Sequence, residues 1–377
     1  MITPIFNETK LHGIEKKLPE VKFPPSVKTL LNESFQKSLT RWIEGSIGFR
    51  GAMIRTDNQL NLAIFNEISS TYGSPLIVGS GVGGSQASLF EKLYVDEINN
   101  RHQLSSKQIS VLVKKIAKLR QEFLKRGVPL FLLLSPSKAI HYEELIPPKF
   151  IDSTKTVSTN NYTELVAELK KASIPYFDGS EFITKLRSNS PYPVFPPGGT
   201  HWSEYASCLV VGELSKIFTP LINKGTLPEA PCSPYVEKPI PSPFDRDLSD
   251  LINVWNHSRF FAPLLYPTLP SAPMASEHFR PRAAFIGGSF LWTIFMYFEG
   301  YNIYQSRDMF YYYSTLFHFP GNTSNKISAK DFDWAKSLTS YDIVVLEINE
   351  ANIHRAGAGF IGDALRDLKI RSTKSQK

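Results

Sequence analysis

Apolar positions along this 377-residue chain recur in two periods, and the two alternate. Ile109, Leu112, Ile116, Leu119 and Phe123 follow a 3-4-3-4 spacing, which puts them on one face of a helix. Lys125 and Arg126 close that stripe and Gly127 follows it, as a helix end prefers. The next run, "VPLFLLL" at 128–134, is apolar throughout and reads as a strand covered on both faces. The rhythm then returns. A helix is expected around Tyr162–Ala172, a strand at "IPYF", and a short helix over Phe182–Leu186. "RAAFIGG" reads as a strand running straight into the helical "SFLWTIFMYF", and "YDIVVLEI" at 341–348 as the last strand. Helices alternating with apolar strands predict an α/β layered fold with a central, mostly parallel sheet flanked by helices.

The first hundred residues are less regular. Residues 1–26 are polar and contain proline, and read as an arm. From Val27 on, Leu31, Phe35, Leu39, Trp42 and Ile43 share one helical face, and a second helix is expected after "GFRGAMIR". "PLIV" at 75–78 is a strand candidate, followed by a glycine cluster and the helix-like "ASLFEKLYVDEINN". Residues 223–281, rich in proline and polar side chains, read as a long irregular excursion over the sheet. Residues 27–370 are therefore expected to form one domain, with 371–377 a frayed tail.

A composition of 42% hydrophobic and 20% charged residues is that of a globular protein. The net charge of +7 suits an anionic partner, but no arginine-rich helix or dense basic run points to nucleic acid. Cys208 and Cys232 could make one disulfide, which is no disulfide framework. The eight histidines show no metal-binding spacing, so neither metal nor cofactor is expected. No apolar run approaches the roughly 18 residues that span a bilayer. The first residues are too polar and acidic for a signal peptide, so the chain reads as cytoplasmic or as lacking a targeting segment.

Three segments carry candidate chemistry. "GSGVGG" at 79–84 satisfies the dinucleotide-binding pattern G-x-G-x-x-G. No strand ending in an acidic residue follows it, so a flexible turn is the better reading. Ser289 stands after a strand and two glycines, at the mouth of a helix. There a hydroxyl is presented beside free N–H groups, although a simple helix cap would look the same. The elbow pattern G-x-S-x-G is not met, because Leu291 stands where its last glycine belongs. His201, in "FPPGGTHWSEYASC", precedes the cap candidate Ser203 on a loop. It is either a general base or a structural histidine.

Together the segments say more. "GTHWSEYA" and "IGGSF" resemble the histidine and serine segments of the alginate O-acetyltransferase family (AlgX/AlgJ type), which is SGNH-hydrolase-like. "GFRGAMIR", "LFEKLYVDEI", "LLLSPSKAIHYEELIP", "VSTNNYTELVAELKKASIPYFD", "DRDLSDLI" and "YDIVVLEINE" resemble further family segments, and all eight follow the family order. The resemblance runs from about 27 to 355, with histidine before serine, the permuted form of the SGNH fold.

The resemblance implies Ser289 as nucleophile and His201 as base of an acetyl transfer to hydroxyls of an exported, alginate-like anionic polysaccharide. It assigns Gly288 and Lys138 as oxyanion or substrate contacts, with a structural ion pair as the other reading of Lys138. It also implies a periplasmic location, no cofactor, and an acetyl donor reached through a membrane-bound O-acyltransferase. The family aspartate two residues before the histidine is Gly199 here, Gly198 is no carboxylate either, and Gly288 replaces the aspartate before the serine. A weakened Ser–His dyad is therefore expected unless Asp178, Glu204, Asp245 or Asp247 reaches His201. An inactive polysaccharide-binding or assembly protein and a carbohydrate esterase are the alternatives. The aromatic run 301–319 could stack sugars, or serve as core and sheet edge.

Overall fold

The computed structural model describes residues 11–13, 21, 23–46, 50–68, 75–152, 154, 160–270, 277–328 and 332–374. Its strands are β1 (Leu76–Ser80), β2 (Ala87–Glu91), β3 (Leu130–Ser135), β4 (Tyr176–Asp178), β5 (Tyr235–Lys238), β6 (Leu264–Pro267), β7 (Arg282–Gly287), β8 (Ser306–Tyr311), β9 (Thr315–Phe319), β10 (Thr323–Lys326) and β11 (Ile343–Asn349). Seven form the central sheet in the order β10-β9-β8-β7-β11-β3-β4. The pairings from β8 to β4 are parallel, and β9 and β10 add an antiparallel edge.

In the sheet centre, Val345 pairs with Phe131 on one side and Phe285 on the other. Side chains alternate across the pleat, and each set buries against its own helices. Phe131, Leu133, Phe285, Ile343 and Val345 pack with the helices Glu204–Ile222 and Phe290–Gly300. Leu130, Leu132, Leu134, Val344 and Leu346 pack with Ser106–Leu124, Asn161–Lys171 and Phe360–Lys374. The result is the expected mixed α/β architecture with helices on both faces.

Several details differ from the sequence reading. The helix-like stretch after the glycine cluster opens as β2, which pairs antiparallel with β1. "GSGVGG" thus spans the end of β1 and the hairpin turn, where Gly83 and Gly84 take φ of +62° and +94°. A strand and not a helix follows the glycines, so the strand–turn–helix geometry of a phosphate site is not formed there. The expected helix from Val27 is broken into Val27–Leu31 and Ser34–Ser46, with Glu33 at φ 58° between them. Part of its apolar face lies outward: Leu31 is 81% exposed, and Trp42 and Ile43 are exposed, while Phe35 and Leu39 are half-buried. Of the arm, residues 1–10, 14–20 and 22 lie outside the described residues, while the His12 N–H donates to Asn253 Oδ1 at 2.7 Å. Of the tail, 371–374 continue the last helix, and 375–377 lie outside the described residues.

Within 223–281, residues 223–270 and 277–281 are described. They hold the antiparallel β5–β6 pair and the helix Asp247–Leu251, and they bury Asp245, Leu248, Phe260 and Leu264. Cys208 and Cys232 form a disulfide that ties this segment to the helix Glu204–Ile222. That helix, contrary to expectation, is long and apolar enough to cross a membrane, but its apolar residues lie in the core.

Candidate active site

The site lies where the carboxyl ends of β7 and β11 meet the 195–203 loop. Four anchors hold the loop. The Ser203 N–H donates to Val194 O at 2.8 Å, and its side chain caps the helix that follows. Trp202 is fully buried and donates to Thr293 Oγ1 at 2.7 Å, which ties the loop to the helix beginning at Phe290. The Leu89 N–H donates to Pro197 O at 2.8 Å. The buried Lys138 ammonium donates to the carbonyls of Pro196, Pro197 and Gly199 at 2.6, 2.9 and 2.7 Å. Its partners are backbone carbonyls, a structural role without a carboxylate partner among these contacts. Burial lowers its pKa to about 7, against the pull of Asp247 and Glu91.

Asp247 stands behind the imidazole. Its Oδ2 lies 2.9 Å from His201 Nδ1, and its Oδ1 accepts the N–H groups of Thr200 and Leu248, each at 3.0 Å. The three other carboxylate candidates are occupied elsewhere. Asp178 caps the helix Gly179–Asn189 and accepts the Tyr162 hydroxyl at 2.6 Å. Glu204 accepts from Ser242 and from the Tyr297 hydroxyl. The fully buried Asp245 accepts the Glu204 N–H at 3.2 Å. A Cβ placed at Gly199 would lie 3.0 Å from Asp247 Oδ1 and 2.9 Å from Asp245 O. The glycine that replaces the expected aspartate therefore makes room for the carboxylate that reaches His201.

A Nδ1–H donated to Asp247 leaves Nε2 with the lone pair. Nε2 is buried and has no hydrogen-bond partner. Burial alone would lower the imidazole pKa; Asp247, with Glu91 and Glu347, outweighs it and the net direction is upward.

The serine side is held differently. A Cβ at Gly287 would come within 2.4 Å of Glu347 Oε2, so only glycine fits at the end of β7. The Gly288 N–H donates to that oxygen at 2.7 Å. In this resting arrangement that N–H is taken by Glu347. Ser289 heads the helix Phe290–Gly300 without capping it. The Tyr312 hydroxyl donates to Ser289 Oγ at 3.5 Å, and Ser289 makes no hydrogen bond to His201. The two are nevertheless neighbours. The His201 ring packs edge-on against Phe290, the residue after the serine, at 4.8 Å between centroids. Both line one cavity of about 640 Å³, with Glu91, Asp247, Tyr312 and Glu347.

Residues 92–262 match the family model described as "SGNH hydrolase-like domain, acetyltransferase AlgX". This stretch is similar to the SGNH hydrolase-like acetyltransferase domains of the AlgX type. The match includes Lys138, His201 and Asp247, whereas Ser289 and Glu347 lie beyond it. Among solved structures, the O-acetyltransferase domain of Pseudomonas putida AlgJ is similar at 14% identity and TM-score 0.45, covering 77% of this chain and 99% of that one. Pseudomonas aeruginosa AlgX is similar at 14% identity and TM-score 0.42, over 77% of this chain and 67% of that one. Bacillus cereus PatB1 follows at 8% identity and TM-score 0.44, over 68% and 93%. At such scores these likenesses decide nothing about the site, which stands on its own residues. No curated protein matches the chain.

Two residues of the candidate site escaped the sequence reading. Glu347 lies buried in β11, where Oε1 accepts the Ser135 hydroxyl and Oε2 the Gly288 N–H. Burial raises its pKa against those bonds. Its signal was a lone carboxylate inside the apolar run "IVVLEI". Glu91 accepts the Thr200 hydroxyl at 2.9 Å, and burial raises its pKa too. Nothing in its local sequence marked it. The aromatic run 301–319 divides: Tyr301, Tyr304 and Phe310 are core, while Tyr312 is 51% exposed at the cavity.

Proposed function

We propose that this protein transfers acetyl groups to hydroxyls of an exported polysaccharide, with Ser289, His201 and Asp247 as the catalytic triad. The observation that carries the reading is the 2.9 Å contact of His201 Nδ1 with Asp247, in the cavity that also holds Ser289. In the first step Ser289 Oγ attacks the acetyl carbonyl and its proton passes to His201 Nε2. Asp247 holds the imidazolium, and the Ser289 N–H at the helix mouth faces the developing oxyanion. The donor's leaving group departs with the proton from His201, and Ser289 keeps the acetyl as an ester. A sugar hydroxyl then attacks that ester and gives its proton to His201, which returns it to Ser289 Oγ. An esterase would use water in place of the sugar.

The acceptor is an anionic, alginate-like polymer, a reading supported by the net charge of +7. The carboxylates of Glu91, Asp247 and Glu347 leave the cavity itself to a neutral hydroxyl. The chain works in the periplasm, an oxidising compartment that suits the Cys208–Cys232 disulfide. Its acetyl groups come from a membrane-bound O-acyltransferase.

The test uses p-nitrophenyl acetate as donor and uronic-acid oligosaccharides as acceptor, followed by mass spectrometry. Acetylated oligosaccharide is expected with the wild type and none with Ser289→Ala. Equal product from both rejects the proposal. One observation favours a second reading, a polysaccharide-binding protein without turnover: Ser289 Oγ is bonded to Tyr312 and not to His201. That reading predicts oligosaccharide affinity, no acetylated product, and no effect of Ser289→Ala.

A further inference from the structure

No histidine spacing suggested a ligand set, yet the fold gathers one outside the acyl-transfer cavity. Glu97 lies in the helix Lys92–Ile98, His102 in the turn that follows, and His354 in the Glu350–Gly359 segment after β11. One carboxylate oxygen and one nitrogen from each ring lie within 4.8 Å of one another. Glu97 Oε1 contacts His102 Nδ1 and lies 3.9 Å from His354 Nδ1. The rings stack at 4.5 Å, with 17° between their planes. Both nitrogens of His354 are buried without a hydrogen-bond partner. Buried polar groups are nearly always satisfied, so an orphaned imidazole facing a carboxylate and a second imidazole calls for a ligand.

We propose that Glu97, His102 and His354 form a binding site for a divalent transition-metal ion of the zinc type. Two imidazoles and one carboxylate are the donor set such an ion prefers. Tetrahedral zinc holds its ligand atoms about 3.3 Å apart, so on binding the His354 nitrogen draws in while the Glu97–His102 contact opens. The ion replaces the proton shared by Glu97 and His102, and that proton leaves to solvent. Water completes the coordination on the open side, where the His102 side chain is 39% exposed. Arg355 follows His354 and, with Asn352, lines the acyl-transfer cavity. The ion thus staples the junction before the helix Ser106–Leu124 to the segment that supplies one cavity wall. This site is independent of the acetyl-transfer reading.

The full chain, stripped with chelator and dialysed, is titrated with ZnCl2 by calorimetry, and with CoCl2 by visible absorption. One equivalent is expected to bind to the wild type, with d–d bands from cobalt. His102→Ala and His354→Ala are each expected to weaken binding at least about 10-fold, and His201→Ala to leave it unchanged. Should His354→Ala fail to fold, His102→Gln on the partly exposed side decides the matter. The proposal is overturned by absence of binding to the wild type. It is equally overturned by affinity that survives both ligand substitutions, or by affinity lost with His201→Ala.

Discussion

The two halves of the candidate active site are held to very different degrees. The histidine half is fixed from every side: Asp247 on the ring, Lys138 on three carbonyls, Trp202 on the next helix. The serine half is fixed only in its backbone, through Gly287 and Gly288 against Glu347. The Ser289 hydroxyl itself has one long contact, to Tyr312. A general base must present one tautomer in one orientation, so its shell is built in advance. A nucleophile must swing from resting position to acyl ester, and its bond to the base forms when substrate arrives.

The largest effect tests the looser half. Ser289→Ala removes the nucleophile, and transfer from p-nitrophenyl acetate is expected to fall by about 10⁴-fold or more. Asp247→Asn comes next. It keeps the shape but reverses the hydrogen bond to Nδ1, so a loss on the order of 10³-fold to 10⁴-fold is expected. The compensation at Gly199 allows a sharper form of this test. Gly199→Asp is expected to lower turnover in the wild type, where its side chain crowds Asp247. In an Asp247→Ala background it is expected to raise turnover, by returning a carboxylate to the ring. A further loss in that background rejects the exchange of positions.

Lys138→Met probes the shell of the histidine half. Three carbonyls lose their donor, and stability is expected to fall by roughly 3 kcal/mol in urea unfolding. The pH dependence has a definite sign. The buried ammonium titrates at about 7 in the folded chain, well below an exposed lysine. Between those values the unfolded chain holds the proton that the folded chain has released. This group therefore makes stability rise with pH in that window. The substitution is expected to flatten that slope in thermal unfolding.

What the sequence made legible follows the same division. The sheet and its central helices could be read because 3-4 spacing and unbroken apolar runs such as 128–134 are local signals. His201 and Ser289 could be read because each sits on a loop or turn beside its own glycines. The partner of His201 could not be chosen from four carboxylates, because Thr200 and Asp247, bonded at 3.0 Å, are 47 positions apart. The partners of Lys138 were hidden for a related reason: its acceptors are backbone carbonyls, which leave no trace in residue type. The break at Glu33 was hidden because its side chain is an ordinary helix former while its backbone is left-handed.

The pH profile of transfer links the halves. The raised pKa of His201 means that imidazolium, unable to accept the serine proton, persists above the ordinary histidine range. Expected kcat/KM therefore falls as pH drops through that raised value, and Asp247→Asn shifts the limb to lower pH.

The smallest effect belongs to Tyr312→Phe. The lost hydrogen bond is 3.5 Å long and lies at an exposed ring, so it is worth little. A change in kcat of about two-fold or less is expected if Tyr312 only parks the hydroxyl in the resting state. A drop beyond about 30-fold with KM unchanged would mean that this phenol acts in the transition state. The serine half would then be as firmly organised as the histidine half, with its organising group in the turn just after β8 and not on the 195–203 loop.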